Sequence, residues 1–192
     1  MRRKLTYLAM AAVMSATPVL ATDVSIDFEA TITVPTCNMT ITGDAISGFG
    51  TATGTEFTLE FGDVSLYDIA KKTSQAERNF SIIASDCAGN PTIKTRLGIG
   101  TGSKTSSTDQ KYLMPIVGYL GMGIKRQGAA ENDLIIPTDE YNNPGTLLTW
   151  TADDIASGLK MTVLLRETRA NRGRIPDGGV FTAQGIFSFT YE

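Results

Sequence analysis

The side chains that carry most catalysis near neutral pH are scarce in this chain of 192 residues. Histidine is absent. Its absence removes the Ser-His-Asp and Cys-His nucleophilic arrangements together with the usual general base. It also removes the commonest ligand of transition-metal sites. Two carboxylate pairs remain, Asp139-Glu140 and Asp153-Asp154. Neighbouring side chains in extended chain diverge to opposite faces, so neither pair converges on one substrate atom, and both read as solvated loop carboxylates. Gly98-Ile99-Gly100-Thr101-Gly102-Ser103-Lys104-Thr105 has the composition of a phosphate loop. Lys104 does not follow the second glycine at the spacing that motif requires, and no long helix follows. The stretch from Gly98 to Thr108 therefore reads as a flexible surface loop. Arg166, Arg169, Arg172 and Arg174 could bind an anionic glycan or ring a hairpin tip with solvated charge, and the second reading is favoured. Asn38-Met39-Thr40 and Asn79-Phe80-Ser81 match the glycosylation sequon within or beside expected strands, a weak pattern. The expectation is a chain that is no enzyme and needs no cofactor or metal.

The first residues carry a different kind of information. Arg2, Arg3 and Lys4 precede an apolar run from Leu5 to Val13, then Pro18 and Val19-Leu20-Ala21. That order reads as a secretory signal peptide over residues 1–21, too short for a membrane-spanning helix. About 170 residues remain, enough for one domain with its own core. The sequence holds 17 Lys and Arg against 20 Asp and Glu. Three of the cations lie in the leader, so the exported part is more acidic still, and nucleic acid is not an expected partner. Cys37 and Cys87 both lie in that part, where an oxidising compartment favours a disulfide, with two free thiols or a metal pair as the competing readings.

The elements that would position these residues are strands. Val24, Ile26, Phe28, Ala30, Ile32 and Val34 alternate with polar residues, the period of a strand with one buried face. Runs of the same character follow at Phe57 to Phe61, Phe80 to Ala84, Thr92 to Leu97, Met161 to Leu165 and Val180 to Tyr191. Turn-forming clusters separate them, at Gly43-Asp44, Gly48 to Gly54, Gly89-Asn90-Pro91, Asn142 to Gly145 and Asp177 to Gly179. Such punctuation argues for an all-β sandwich. Helical signal is confined to a short turn capped by Thr151, running through Asp153, Asp154 and Ile155 and ended by Gly158.

Taken together, these segments resemble the pilin subunits of chaperone–usher fimbriae. The resemblance rests on the alternating segment with Phe28 and Ala30 leading into Cys37, on Phe80, Ile82 and Ala84 leading into Cys87, and on the C-terminal alternation. In the last of these, Gly179, Phe181, Ala183, Gly185, Phe187, Phe189 and Tyr191 mark one face. Ala30 stands where glycine is usual in such proteins, and Gly185 where alanine is common. The region from Gly98 to Arg174 matches only loosely.

The resemblance implies an incomplete immunoglobulin-like β-sandwich, completed by a donor strand from another chain. It divides the sequence into a signal peptide (1–21), an N-terminal donor-strand extension (22–34) and a pilin domain (35–192). Val24 to Val34 would be the donor, and Gly179 to Tyr191 the strand bound first by a periplasmic chaperone and then by a neighbouring subunit. An outer-membrane usher, other pilin subunits and a host receptor are the further partners implied, and the destination is a fimbrium on the cell surface. The alternatives are a self-complete, lectin-like secreted binding protein and a single-domain minor tip adhesin.

Overall fold

The computed structural model describes residues 37–43, 46–47, 58–106, 110–116, 120–139, 143–168 and 181–192. The strands are β1 (Asn38–Gly43), β2 (Ile46–Ser47), β3 (Thr58–Leu59), β4 (Glu77–Ser85), β5 (Ile93–Ile99), β6 (Ser103–Thr105), β7 (Leu113–Pro115), β8 (Leu120–Arg126), β9 (Leu148–Thr149), β10 (Leu159–Glu167) and β11 (Gly185–Tyr191). Two short helices, α1 (Leu66–Lys71) and α2 (Ala152–Ser157), lie between them. One sheet has the order β1-β4-β10-β8-β7-β6, a second β11-β5-β9, and β2 pairs with β3 alone. The ladders are antiparallel, and β4, β8 and β10 form the continuous middle of the larger sheet.

Period-two patterning explains how the two sheets share one core. In β5, Ile93, Thr95 and Leu97 are buried while Lys94 and Arg96 point outward. They meet Phe80 and Ile82 of β4, Leu159, Met161 and Val163 of β10, Ile124 of β8 and Leu113 of β7. Trp150 closes the core beside β5, and its indole N–H donates to Thr95 Oγ1 at 2.7 Å, which satisfies both buried polar groups. The result is an all-β, immunoglobulin-like sandwich. The short helix expected at Thr151 forms as α2. Thr151 Oγ1 accepts from the Asp154 N–H while the Asp154 carboxylate accepts from the Thr151 N–H, a capping box. Gly158 ends it at φ +87°, a conformation that favours glycine.

Several expectations are corrected. Gly98 to Thr108 is not one flexible loop: β5 runs on to Ile99, and Ser103–Thr105 forms β6, with Thr105 and Ser106 buried. The small side chains there serve a sharp crossing between sheets, because a Cβ at Gly100 would meet the Gln184 side chain. Asp154 is no solvated carboxylate; it is buried against Arg126 Nη1 at 2.9 Å. Arg166 is no solvated tip residue, being 2% exposed on the outer face of β10. Arg169, Arg172 and Arg174 lie outside the described residues. The expected strand at Phe57 to Phe61 shrinks to Thr58–Leu59, and α1, capped by the Ser65 side chain, follows instead. The last strand begins at Gly185 rather than Val180.

Candidate functional site

The residues singled out at the C-terminal end are brought together on one strand and its approach. β11 pairs with β5 over its whole length, from Gly185↔Ile99 to Tyr191↔Ile93. Phe187, Phe189, Tyr191 and Ala183 face the core yet remain only partly buried, while Ile186 on the opposite face is 50% exposed. Phe187 packs 6.1 Å from Phe80 between ring centroids, and Phe189 stands edge-on to Trp150 at 6.3 Å. Phe181 belongs to a second cluster with Ile69, Ala76 and Leu165. Gly179 and the whole of Val24, Ile26, Phe28, Ala30, Ile32 and Val34 lie outside the described residues.

Only one edge of β11 is used among the described residues. Thr92 and Glu192 exchange backbone bonds of 2.8 and 3.0 Å, and Gly100 N–H donates to the Gln184 carbonyl at 2.9 Å. In an antiparallel ladder such bonding pairs recur every second residue. The even-numbered residues of β11 therefore bond to β5. The N–H and C=O groups of Gly185, Phe187, Phe189 and Tyr191 point along the other edge, where no ladder is found among the described residues.

A matching edge lies on the larger sheet. Among the described residues β1 pairs only with β4 and ends its sheet, with Met39 and Ile41 facing the core and partly buried. The sequence reading overlooked this strand, although its signal was present: Thr40 and Thr42 alternate with Met39 and Ile41 directly after Cys37. Cys37 forms a disulfide with Cys87, fastening the start of β1 to the chain leaving β4. Tyr191 Oη donates to the Cys37 carbonyl at 3.4 Å, so the two free edges approach at that end. Burial of the Tyr191 hydroxyl raises its pKa above the ordinary phenol range. Lys94 Nζ holds the Glu192 carboxylate at 2.6 Å, fixing the end of the same strand.

At Gly185 the wall beside the free edge is closed by its own core. A Cβ there would lie 2.9 Å from both Leu97 Cδ1 and Leu113 Cδ1. Gly185 is thus where two leucine methyls reach the backbone of β11.

The ionisable groups elsewhere are engaged in structure. Arg166 Nε donates to Glu131 Oε1 at 2.6 Å and its Nη2 to Glu77, with Lys72 a further 3.4 Å from Glu131. Hydrogen bonding to Arg166 holds the Glu131 carboxyl below the usual range, against the opposing effect of burial. Burial alone would lower the pKa of Arg166; its bonds to Glu131 and Glu77 outweigh that and raise it. Burial likewise opposes ionisation of Asp154, but the Thr151 N–H and Arg126 bring its pKa below the usual range. These carboxylates are saturated by arginine and backbone donors, which leaves them poor proton acceptors.

The described residues form a β-sandwich in which the first and last described strands, β1 and β11, each have one edge without a ladder among those residues. The chain belongs to the Fimbrial protein family, whose model matches residues 26–192. It is 34% identical over 184 residues to the uncharacterized fimbrial-like protein YadM of Escherichia coli strain K12, covering 91% of this chain and 89% of that protein. Among solved structures it is similar to the P pilus rod subunit PapA, at 14% identity and a TM-score of 0.46, covering 78% of this chain and all of that one. The protein is accordingly a structural subunit of a surface fimbrium, a fibre in which such subunits associate with one another.

Proposed function

We propose that this subunit polymerises by exchanging strands, donating its residues 22–34 to a neighbour and accepting the corresponding segment of another subunit in the seam beside β11. The observation that carries this reading is the pair of edges, β1 and β11, unpaired among the described residues and flanking core side chains that are only partly buried. Unpaired edges over an exposed core invite uncontrolled aggregation, so such a surface needs a partner from the moment of folding. A strand laid along the seam supplies backbone bonds to Gly185, Phe187, Phe189 and Tyr191 and buries alternate side chains, the physics of strand addition between chains.

Val24, Ile26, Phe28, Ala30, Ile32 and Val34 have the required period. The five large side chains among them contribute gross burial of about 10 kcal/mol before ordering costs. In this reading residues 1–21 are removed on export, a periplasmic chaperone fills the seam first, an outer-membrane usher presides over the exchange, and the assembled fimbrium supports adhesion to a host receptor. No catalysis is assigned.

The test is size-exclusion chromatography of periplasmic protein expressed with and without a fimbrial chaperone, comparing the mature chain with one lacking residues 22–34. Recovery of the intact chain only as a chaperone complex that polymerises on release, with a truncated chain that binds chaperone but cannot donate, is the expected result. A stable, chaperone-independent monomer of the intact chain overturns the proposal in favour of a self-complete secreted binding protein.

A further inference from the structure

We infer that residues 128–133 form an acid-operated latch: Glu131, in this turn, closes over the buried guanidinium of Arg166, and protonating Glu131 releases the turn while the sheet beneath it stays folded. The latch lies on the outer face of the larger sheet and does not depend on strand exchange.

Gln127 to Asp133 carries no apolar side chain larger than alanine, and Gln127, Gly128, Ala130, Asn132 and Asp133 are exposed. Hydrophobic burial therefore does little to hold this turn down. Its two ends are anchored. On one side the Gln127 N–H donates to the Lys160 carbonyl of β10 at 3.0 Å. On the other, Leu134 and Ile135 are buried, and the Ile135 N–H donates to the Ile124 carbonyl of β8 at 2.7 Å. Just inside the first anchor Gly128 stands at φ +81°, a conformation that favours glycine and suits a pivot. Between the anchors the turn is held by Glu131, helped by Lys125 Nζ, which donates to the Ala129 carbonyl at 2.9 Å.

Glu131 grips a charge that is almost wholly out of water. Arg166 is 2% exposed. Its Nε and Nη2 donate to the two carboxylate oxygens of Glu131 at 2.6 and 3.0 Å, a bidentate pair. Nη2 also donates to Glu77 at the start of β4, and Nη1 to the Leu165 carbonyl. Lys72, at the end of α1, lies 3.4 Å from Glu131. The remaining charges nearby are engaged or turned away. Asp68 of α1 is bonded to Ser65 and Thr73, Asp133 is exposed, and Glu167 follows Arg166 along β10 and so points to the opposite face. Gly121, opposite Arg166 on β8, brings no charge. With Glu131 neutral, Lys72 and Arg166 are like charges on either side of it, and Glu77 is the one carboxylate left to a guanidinium out of water. A buried charge that loses its partner is costly, and the turn, with no apolar hold, is the element that can move aside and admit water.

The direction follows from linkage. Glu131 keeps 31% of its side chain exposed, so a proton reaches it without unfolding. Closure lowers the pKa of Glu131, chiefly through its bonds to Arg166 and against the effect of burial. The closed turn therefore binds that proton less readily than the open one. The contribution of Glu131 to closure is complete above about pH 4–5 and is lost as pH falls through the lower, closed-state value. A chain without histidine thus responds to acid in the carboxylate range, below the pH at which histidine acts.

Amide exchange of the full chain at pH 6 and pH 3, corrected for the intrinsic effect of pH and read by mass spectrometry on peptides, tests the latch. The N–H groups of Ala129 and Asp133 donate to the Arg126 and Ala130 carbonyls, and they report the turn. Their protection is expected to fall about tenfold for each unit by which closure lowers the Glu131 pKa, while β4 and β10 stay protected. Glu131→Gln is expected to leave the turn poorly protected already at pH 6 and to abolish its further response to acid. Arg166→Met, which removes the buried charge and keeps the bulk, is expected to make the turn's exchange independent of pH. Equal protection of the turn at pH 6 and pH 3 overturns the inference. So does loss of protection in the turn and in β10 together, which means acid unfolds the sheet, and so does an acid response that persists in either variant.

Discussion

Replacing Gly185 with alanine tests the contact between two buried leucines and the backbone of β11. The added methyl would sit 2.9 Å from Leu97 Cδ1 and Leu113 Cδ1 and 3.7 Å from the Gly98 carbonyl. Carbon atoms in good contact lie about 3.5–4.0 Å apart, so each leucine end must withdraw by about 0.6 Å or more. Both leucines are fully buried in the main core, and forcing an extra methyl into such packing costs about 1–3 kcal/mol. An opposing gain of about 0.5–1 kcal/mol comes from replacing a strand glycine, whose unfolded state is unusually free. The cost wins, and the expected net loss is about 1 kcal/mol. With a urea dependence of about 2 kcal/mol per molar, the unfolding midpoint falls by about 0.5 M at unchanged slope. Adding Leu113→Val to Gly185→Ala should recover part of the loss, although Leu113→Val alone destabilises, and that coupling is the signature of direct contact. An unchanged or raised midpoint for Gly185→Ala, with additive behaviour in the double variant, would refute the contact.

Arg166→Ala should destabilise by about 2 kcal/mol in urea, less than the full penalty for breaking a buried pair because Glu77 and Glu131 keep 27% and 31% of their side chains exposed and can rehydrate; Arg166→Met, which keeps the bulk, should lose less. The same cluster sets an acid dependence. The carboxyls of Glu131 and Asp154 titrate lower in the folded chain than in the unfolded one. Their contribution is complete above about pH 4–5 and is lost as pH falls through the folded values, so a urea midpoint that stays level between pH 6 and pH 3 would contradict it. Cys37→Ser with Cys87→Ser should cost up to about 4 kcal/mol for a separation of 50 residues. Because the bond anchors a strand that, among the described residues, has a ladder on one side only, amide exchange in β1 should accelerate well before exchange in β10; uniform acceleration would mean that the bond does not act through that edge.

Strands flanked by turn residues were legible in the sequence because alternation and β-branching are local. β4, β5, β10 and most of β11 follow from Phe80 to Ala84, Thr92 to Leu97, Met161 to Leu165 and the C-terminal aromatics. α2 was legible too, since Thr151, Asp154 and Gly158 supply both a start and a stop within eight residues. β8 was not. Leu120-Gly121-Met122-Gly123 lacks β-branched residues, and its glycines are there because a Cβ at Gly121 would strike Tyr112 and Thr168, a tertiary reason that no local pattern displays. Arg166 misled for the same cause. Four arginines near a turn look solvated in sequence, whereas Glu77 and Glu131, 89 and 35 positions away, are what make its burial possible. Of the candidate site, the inward face of β11 was readable. That β11 and β1 both end their sheets among the described residues was not, because an edge depends on which strands lie beside it and no local pattern displays that.

Among the described residues, each of those two edges is fixed from its far side. β11 is fixed from its far side by its ladder to β5, the reciprocal Thr92–Glu192 bonds and the Lys94–Glu192 ion pair. β1 is fixed by its ladder to β4 and by the disulfide at its entry. Neither set of restraints uses the backbone groups that face the seam. On the strand-exchange proposal, a donor strand would order mainly itself on binding, and the ordering cost on the acceptor side, which would otherwise offset its apolar burial, would be small. The tether at Tyr191 marks the end where the edges already meet. At the other end of β11 the methyls of Leu97 and Leu113 close in on the backbone at Gly185, so that end of the strand is fixed by core packing rather than by a tether.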